Sequence, residues 1–179
     1  LIEQGEVASA GSGNEQGVLY TRLARQHSAL VDFSLQAFQF ASNGYREMFD
    51  SGALVAGRDG ELCGNFQQSD DTAELGAFDA VLHGMEDLVQ VLGADAASAL
   101  LGFKQSKAGY WYPRSGWLHP PALCRALLQR DNITLLQQRG QVTLHHESGL
   151  WHAIADGSSI ASAPCVVAAT GTDTTALQP

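Results

Sequence analysis

A glycine-rich segment near the start of the sequence has the residue types of an anion-binding loop. It runs from Ala8 to Tyr20 and reads Ala-Ser-Ala-Gly-Ser-Gly-Asn-Glu-Gln-Gly-Val-Leu-Tyr. Glycine accepts backbone conformations that other residues avoid, and it has no Cβ to keep a ligand away. Main-chain N–H groups and short polar side chains in such a loop suit a pyrophosphate. The same composition is typical of a flexible linker, so composition alone leaves both interpretations open.

The bulk composition limits the classes of function. The chain has 179 residues, 45% of them hydrophobic, which suits one globular domain or slightly more. Its formal net charge is −9, and the densest basic group, Arg22, Arg25 and Arg46, is sparse, which argues against a broad phosphate-binding surface. The sequence contains no apolar run of about 18 residues that would predict a membrane span. It also has no signal peptide pattern, and we expect a cytoplasmic protein without a membrane partner.

Cysteine and histidine spacing does not indicate a metal site. Cys63, Cys124 and Cys165 are far apart and odd in number, without the spacing of zinc ligands. We expect them to be reduced and buried, as is usual in a cytosolic protein. His145 and His146 are adjacent on a predicted strand and would point to opposite faces, which makes a poor chelate.

The spacing of apolar residues predicts alternating strands and helices. Strands are expected at 1–3, 54–56, 61–66, 132–136, 141–145, 149–154 and 163–169, with a strand-and-loop stretch at 109–121. Helices are expected at 23–49, 78–92, 95–101 and 122–128. The apolar run at 163–169 is typical of a strand buried on both faces of a parallel sheet. This order favours an α/β sheet into which another unit is inserted.

Two segments together resemble one protein family. Residues 12–20 are similar to the S-G-N-x-Q-G-x-L-Y segment, and residues 112–123 to the Y-P-x-G-G-W-L-x-P-x-x-L segment, of the MnmC family. Members of this family are bifunctional enzymes of tRNA 5-methylaminomethyl-2-thiouridine biosynthesis, with a C-terminal half similar to D-amino-acid oxidase. Residues 62–64 and 166–171 also resemble the family's W-C-G and V-V-L-A-N-G. The sequence departs from the family at three positions, where Leu62, Ser115 and Thr170 replace Trp, Gly and Asn.

The resemblance implies a fold and a cofactor, FAD. The expected fold class is α/β, a partial FAD/NAD(P)-binding (Rossmann-like) domain with an inserted α+β substrate domain. The FAD-binding domain would be discontinuous and incomplete, over residues 1–48 and 113–179, with part of the substrate domain at 49–112. In such folds an acid after the second strand holds the ribose hydroxyls of adenosine, and Glu3 has that position. The expected FAD-binding residues are Glu3, Ser9, Ser12, Gly13, Asn14, Gln16, Gly17, Leu19, Val142, Thr170 and Gly171. The expected substrate-side residues are Tyr20, Gly116 and Trp117.

The resemblance also implies a reaction. FAD-dependent oxidation would remove the carboxymethyl group from 5-carboxymethylaminomethyl-(2-thio)uridine at the wobble position of tRNA. An imine would hydrolyse to release glyoxylate and leave 5-aminomethyluridine. No catalytic acid or base is assigned; His119 is a candidate, but a structural role is favoured for it. Two alternatives stay open: a small-molecule amine or amino-acid oxidase of the same fold, and a non-catalytic α/β module.

The family pattern extends beyond this sequence on both sides. Its G-x-G-x-x-G fingerprint would precede Leu1, its closing flavin contacts would follow Pro179, and its S-adenosylmethionine-dependent methyltransferase domain would lie elsewhere. Half a cofactor sheet leaves open strand edges, so we expect this chain alone to bind FAD weakly or not at all and to be inactive. We expect tRNA to bind mostly through other parts of the full-length protein, with Arg22, Arg25 and Arg114 as minor contributors.

Overall fold

The computed structural model describes residues 1–21, 23, 28–171 and 174. The helices are α1 (Ala29–Asp50), α2 (Thr72–Val81), α3 (Ala94–Leu101) and α4 (Pro120–Leu128). The strands are β1 (Gly17–Leu19), β2 (Gly60–Glu61), β3 (Asn65–Gln68), β4 (Gln90–Leu92), β5 (Gly109–Tyr112), β6 (Gly116–Leu118), β7 (Thr143–Glu147), β8 (Leu150–Ala155) and β9 (Ser158–Ala163). This mixture of helices and strands agrees with the predicted α/β class. Among the described residues, no helix is both long and apolar enough to cross a bilayer.

The chain divides into two compact units. One consists of Leu1–Gly13 with Leu127–Pro179, and the other of Asn14–Ala126. This division does not test the expected FAD-binding domain over 1–48 and 113–179 or the expected part of a substrate domain over 49–112, and both stay a prediction. Each unit is described separately below.

The unit of residues 14–126 contains two antiparallel sheets. The first has the strand order β1-β6-β2, and the second has the order β3-β5-β4. Strands β5 and β6 follow each other through a turn in which the Ser115 N–H donates to the Tyr112 carbonyl over 3.1 Å. The sheets are therefore connected directly at Ser115, inside the second motif that resembles the flavoprotein family.

The core of this unit lies on one face of β5. Tyr110 and Tyr112, two residues apart and so on the same face of the strand, are buried with Leu75 and Val89. Phe78 of α2 meets the Tyr110 ring edge-on at 5.8 Å. Phe38 of α1 meets the Tyr112 ring edge-on at 6.5 Å. These contacts fix β5, and with it the turn that leads to β6.

The other unit is built on an antiparallel meander of β7, β8 and β9. Asp156 and Gly157, both at positive φ (50° and 73°), form the tight turn between β8 and β9 that the Asp-Gly pair predicts. Ile2 makes an isolated parallel bridge with Leu136. The strand expected at 1–3 is therefore present only as this bridge, and the same bridge is all that forms of the strand expected at 132–136.

The predicted helix at 78–92 is wrong. Helix α2 starts earlier, at Thr72, where the Asp71 side chain caps the helix by accepting the Glu74 N–H over 2.8 Å. It ends before Gly84, which has a φ of 89° and so favours a turn. Leu88 and Val89 continue the apolar pattern because they are buried at 3% and 0% exposure, in the turn that leads to β4. The buried residues of this turn and strand therefore happen to have the spacing of apolar residues on a helix, which explains the wrong prediction.

The predicted strand at 163–169 is also wrong. Strand β9 ends at Ala163, and Val167 is 90% exposed. A strand needs a neighbour to take its N–H and C=O groups, and no described residue pairs with 164–169. The expected parallel sheet is therefore not formed within the described chain.

Two smaller predictions also fail. The segment 54–56 forms only a bridge between Ala56 and Gly60. Cys63 and Cys165 are exposed and Cys124 is only half-buried, so the expectation of burial is wrong. The helices predicted at 95–101 and 122–128 are present as α3 and α4, and the helix predicted at 23–49 begins as α1 at Ala29 within the described residues.

Candidate functional site

Glu3 lies half-buried directly after the parallel bridge at Ile2. Its main-chain N–H donates to the Leu136 carbonyl over 2.8 Å, and its own carbonyl accepts the Arg139 N–H over 3.3 Å. Its carboxylate Oε1 accepts the Gly5 N–H over 3.2 Å. The backbone at Glu3 is thus fixed on both sides, with a carboxylate held at the end of a strand-like segment.

The segment that joins Glu3 to the glycine-rich loop is tied to residues 137–140. The Gln138 N–H donates to the Gly5 carbonyl over 2.8 Å, and the Val7 N–H donates to the Gln137 Oε1 over 2.9 Å. Within the loop the Gly13 N–H donates to the Ala10 carbonyl over 2.9 Å. A Cβ on Gly13 would lie 2.9 Å from the Ala8 carbonyl oxygen, so the loop is too tightly turned for any other residue there.

Between Ala8 and Gly17 the loop carries mainly small side chains, with Glu15 and Gln16 as the larger ones, and residues 9–16 are exposed. Ser9, Ser12, Asn14 and Gln16 are all exposed. A Cβ on Gly11 would meet nothing within 4 Å, so open space lies beside the loop backbone. The loop therefore presents backbone and small polar groups, as a cradle for an anionic ligand requires.

The other predicted cofactor residues of the same unit lie elsewhere in the chain. Val142 is half-buried immediately before β7. Thr170 and Gly171 are exposed beyond β9, where the Thr170 hydroxyl donates to the Thr174 Oγ1 over 3.1 Å. The Thr174 hydroxyl in turn donates to the Gly171 carbonyl over 2.8 Å. Their predicted role in cofactor binding stays a prediction.

In the other unit, the two motifs that suggested the family are strand partners. Gly17 of β1 pairs with Leu118 of β6, and Leu19 pairs with Gly116. The register also sets Val18 opposite Trp117. The structure thus brings the predicted cofactor residues Gly17 and Leu19 against the predicted substrate-side residues Gly116 and Trp117. Tyr20, directly after β1, is 42% exposed.

Two glycines let the strands of this sheet approach closely. A Cβ on Gly116 would lie 1.9 Å from the Glu61 carbonyl oxygen and 2.8 Å from the Leu62 Cα. Gly60, at φ 149°, would set a Cβ 2.5 Å from the Trp117 carbonyl oxygen. The Cβ on Gly60 would also lie 2.8 Å from the Leu118 Cδ2. All the other close neighbours are backbone atoms, which cannot move aside easily. The contact between β2 and β6 therefore requires glycine on both strands.

Ser115 is a site residue whose importance the sequence did not reveal. It is fully buried, and its hydroxyl donates to the Leu19 carbonyl at the end of β1. Its own carbonyl accepts the Gly64 N–H over 2.8 Å. Ser115 therefore connects β1, the turn before β6 and the segment after β2, at a position where the similar family has glycine.

Asp59 is the second residue that the sequence did not mark. Its Oδ2 accepts the Val55 N–H over 2.9 Å, and its two carboxylate oxygens take the Arg58 guanidinium over 2.9 and 2.7 Å. The hydrogen bond from Arg58, followed by that from Val55, lowers the pKa of Asp59 to about 2. Its carbonyl accepts the His119 N–H over 2.8 Å. Asp59 thus links the turn before β2 to His119, the residue directly after β6.

A cleft of about 420 Å³ opens where the chain leaves β1. It is bounded by the end of β1 and by one side of α1: Leu19, Tyr20, Thr21, Phe33, Ser34, Ala37, Phe38 and Ala41. Thr21 is 4% exposed, and its Oγ1 has no hydrogen-bond partner among the described residues. The Ser34 hydroxyl, by contrast, donates to the Leu30 carbonyl of its own helix over 2.8 Å. The sequence offered no signal for Thr21, because a single threonine in a loop is ordinary.

No catalytic acid or base emerges from the described side chains. Burial raises the pKa of Tyr112 to about 12, so this phenol stays protonated. His119 is half-buried and contributes its main-chain N–H to Asp59, and its catalytic role stays untested. Over the described ranges, no group of three His, Cys, Asp or Glu side chains could hold a metal ion.

The fold and this site define a class of protein. The whole chain, residues 1–179, matches the family described as FAD dependent oxidoreductase, DAO. The chain therefore belongs to this family of FAD-dependent oxidoreductases.

Within this family, the chain is similar to curated proteins that carry the name MnmC. A protein of Stutzerimonas stutzeri (strain A1501), named tRNA 5-methylaminomethyl-2-thiouridine biosynthesis bifunctional protein MnmC, is 36% identical over 174 residues, which are 97% of this chain and 26% of the relative. The protein of the same name from Pseudomonas putida (strain W619) is 35% identical over 181 residues, 100% of this chain and 27% of the relative. The resemblance to MnmC is thus confirmed, and the chain spans about a quarter of the length of these relatives.

Solved structures confirm the fold. A glycine oxidase from Geobacillus kaustophilus superposes with a TM-score of 0.70 at 22% identity, over 98% of this chain and 49% of that chain. An L-amino acid deaminase from Proteus vulgaris has a TM-score of 0.62 at 14% identity, over 89% of this chain and 43% of that chain. At these identities the likeness concerns the fold.

The residues present fit the cofactor that the family name implies. Glu3 holds a carboxylate at the end of a strand-like segment, and residues 8–13 after it are all alanine, serine or glycine. Gly13 sits where a Cβ would strike the Ala8 carbonyl, so the tight backbone of the loop depends on glycine. A carboxylate that accepts from ribose hydroxyls, followed by a small-residue loop whose N–H groups donate to a pyrophosphate, is the expected arrangement.

Proposed function

We propose that the intact protein removes the carboxymethyl group from 5-carboxymethylaminomethyl-(2-thio)uridine at the wobble position of tRNA, in an FAD-dependent oxidation that yields 5-aminomethyluridine. The observation that carries the proposal is that identity of 35–36% to the curated MnmC relatives extends over 97–100% of this chain. A tRNA-modifying enzyme of this kind would work in the cytoplasm.

The residues proposed to bind FAD are those that the sequence predicted. Glu3 would accept hydrogen bonds from the ribose hydroxyls of adenosine, and the loop from Ser9 to Gly17 would hold the pyrophosphate through main-chain N–H groups. Val142 would meet the adenine with main-chain groups, and Thr170 with Gly171 would close beside the pyrophosphate. When bound, FAD supplies the hydride-accepting chemistry that no side chain of this chain provides.

The proposed substrate side is the end of β1 with its partner β6. Tyr20, Gly116 and Trp117 would face the modified base, and Leu19 would lie between them and the flavin. Removal of a hydride next to nitrogen needs the unprotonated amine. A substrate site that disfavours the ammonium form would help this reaction, because burial lowers the pKa of an amine.

Electrostatics support a tRNA surface outside this chain. The net charge is −9. Arg114 and Lys107 are each paired with a carboxylate, Arg114 with Asp87 and Lys107 with Asp70 over 2.6 Å. Paired cations contribute little to counterion release from a phosphate backbone. Arg22 and Arg25, the other two expected contributors, lie outside the described residues.

A second candidate is an oxidase of small amines or amino acids. It would use the same fold and the same FAD loop, and the solved structures with TM-scores of 0.70 and 0.62 are named as a glycine oxidase and an L-amino acid deaminase. The third candidate, a non-catalytic α/β module, gains no support from membership of an oxidoreductase family.

One experiment separates these candidates. The intact protein, purified with its flavin, is mixed without oxygen with tRNA that carries 5-carboxymethylaminomethyluridine, and separately with free glycine and sarcosine. The proposal expects loss of the visible flavin absorption with the tRNA and release of glyoxylate. Equal or faster bleaching by free glycine or sarcosine would favour the amine oxidase, and no bleaching by any of them would contradict both.

A further inference from the structure

Helix α1 has three sides of different character. One side packs against the core of its unit, where Phe38 and Ser42 are buried at 3% and 0% exposure. A second side is polar and exposed, and it carries Gln36, Gln39, Asn43, Arg46 and Glu47. The third side is apolar and is exposed as well. A helix on the surface of a globular protein ordinarily has one apolar side, which faces the core, so the third side requires an explanation.

The exposed apolar side of α1 is formed by Leu30, Phe33, Ala37 and Phe40, and we call it the α1 stripe. These residues follow one another at intervals of three, four and three, so they lie along one line of the helix over about 15 Å. The large side chains are open to solvent, since Leu30 is 73%, Phe33 69% and Phe40 83% exposed. Single exposed apolar residues are normal, but a continuous stripe of this kind is typical of a contact surface.

The shape of the α1 stripe suits an inserted apolar side chain. Ala37 lies between Phe33 and Phe40 along the stripe, and its small side chain leaves a gap between the two rings. Phe33 and Ala37 also line the cleft of about 420 Å³ between α1 and the end of β1. Packed elements insert the side chains of one into the gaps between side chains of the other. The α1 stripe therefore has the relief of a packing surface.

The lengths of related proteins indicate what covers the α1 stripe. The MnmC relatives match 97–100% of this chain with only 26–27% of their own length. The glycine oxidase superposes on 98% of this chain with 49% of its own, so its fold contains about as much chain again. Within one domain, such further elements pack through apolar surfaces on the part that corresponds to this chain.

A second copy of this chain fits the α1 stripe less well. Each copy has a formal net charge of −9. Beside the stripe, α1 carries the acids Asp32, Glu47 and Asp50 against Arg46 as its single cation. Two copies joined along α1 would bring these like charges together, which disfavours association.

We infer that the α1 stripe is the surface on which another part of the same polypeptide, from outside residues 1–179, packs with an apolar face. The stripe is thus an internal contact of the intact oxidoreductase domain, and its burial contributes to the stability of that domain. The inference concerns the assembly of the domain and does not depend on the tRNA reaction.

The first test is Phe40→Gln in the intact protein, measured by thermal unfolding. Glutamine forms helices slightly better than phenylalanine, so at an exposed position this change should leave Tm equal or slightly raised. At a covered position it removes apolar contacts and buries an amide, so we expect Tm to fall by roughly 4–10 °C. Gln39→Ala, at the neighbouring exposed position on the polar side, is the control and should stay within about 2 °C of wild type.

The second test identifies the occupant by photo-crosslinking. The phenylalanine derivative p-benzoylphenylalanine is placed at position 40 of the intact protein, and at position 39 as control. Position 40 should join, within one polypeptide, to a peptide outside residues 1–179, and position 39 should not. A crosslink from position 40 to a second polypeptide or only to residues 1–179, or a Tm for Phe40→Gln at or above that of wild type, would overturn the inference. Each of these results leaves the proposed function standing, because bleaching of the flavin by tRNA tests it separately.

Discussion

Replacement of Gly116 by alanine tests the close contact between β2 and β6. The new Cβ would lie 1.9 Å from the Glu61 carbonyl oxygen, whereas ordinary contact begins at 3.4 Å, so the strands must separate by about 1.5 Å (3.4 − 1.9). Such a shift disrupts the short pairing of Gly60 with Leu118 and of Glu61 with Trp117. Overpacking costs about 1–3 kcal/mol and two lost ladder hydrogen bonds about 1 kcal/mol each, so we expect a total of about 3–5 kcal/mol.

The assay is thermal unfolding of the intact protein, with FAD uptake measured in parallel. In a unit of this size, between the 60–100 and 150–250 residue classes, 1 kcal/mol shifts Tm by about 3–6 °C, so Gly116→Ala should lower Tm by roughly 10 °C or more. The matched control is Gly76→Ala in α2, where a Cβ meets nothing within 4 Å and should stabilise by up to about 1 kcal/mol. A Tm for Gly116→Ala equal to that of wild type would refute the close approach of the strands.

Two further substitutions test the residues that support the site. Ser115→Ala leaves the Leu19 carbonyl without its buried donor and should lower the free energy of unfolding in urea by about 1–3 kcal/mol. The control Ser159→Ala, at an exposed position of β9, should change it by less than about 0.5 kcal/mol. Equal effects of the two substitutions would show that the hydrogen bond of the Ser115 hydroxyl is not formed. Asp59→Asn tests the lowered pKa of the carboxylate bound by Arg58. Because the folded pKa is about 2 and the ordinary value is 3.8, the ionised carboxylate stabilises the fold above about pH 4, and this stabilisation is lost as the pH falls towards about 2. The Asn variant should therefore be less stable than wild type at neutral pH, by at most about 2 kcal/mol, and the difference should shrink between about pH 4 and 2; a difference independent of pH would contradict the shift.

The sequence predicted the elements whose signals are local. Pro120 and Pro121 predicted the start of α4, and Asp156 with Gly157 predicted the turn between β8 and β9. Apolar runs whose ends are not marked by proline or by an Asp-Gly pair led to wrong predictions of secondary structure. Leu88 and Val89 are buried in a turn rather than a helix, and 163–169 lacks the neighbouring strand that a buried strand needs.

Some residues of the candidate site could likewise be selected from the sequence, and others could not. The glycine-rich loop and the Gly-Trp-Leu segment were visible as motifs, and the structure pairs Leu19 with Gly116 in one sheet. Ser115, Asp59 and Thr21 could not be selected from the sequence, because their roles depend on burial and on partners distant in the chain. Ser115 was noted only as a departure from the family, and its hydrogen bond to β1 became evident from the packing alone.

The central claim is that Glu3 and the loop after it form part of an FAD site in an oxidoreductase. The most direct measurement is the visible flavin absorption of the intact protein, purified as wild type and as Glu3→Ala and then titrated with FAD. The account predicts that the wild type is yellow with equimolar FAD and that Glu3→Ala binds FAD at least several-fold more weakly, because a carboxylate that accepts two ribose hydroxyls contributes charge-assisted hydrogen bonds. An intact wild-type protein that is folded, colourless and unable to take up FAD from excess would contradict the account.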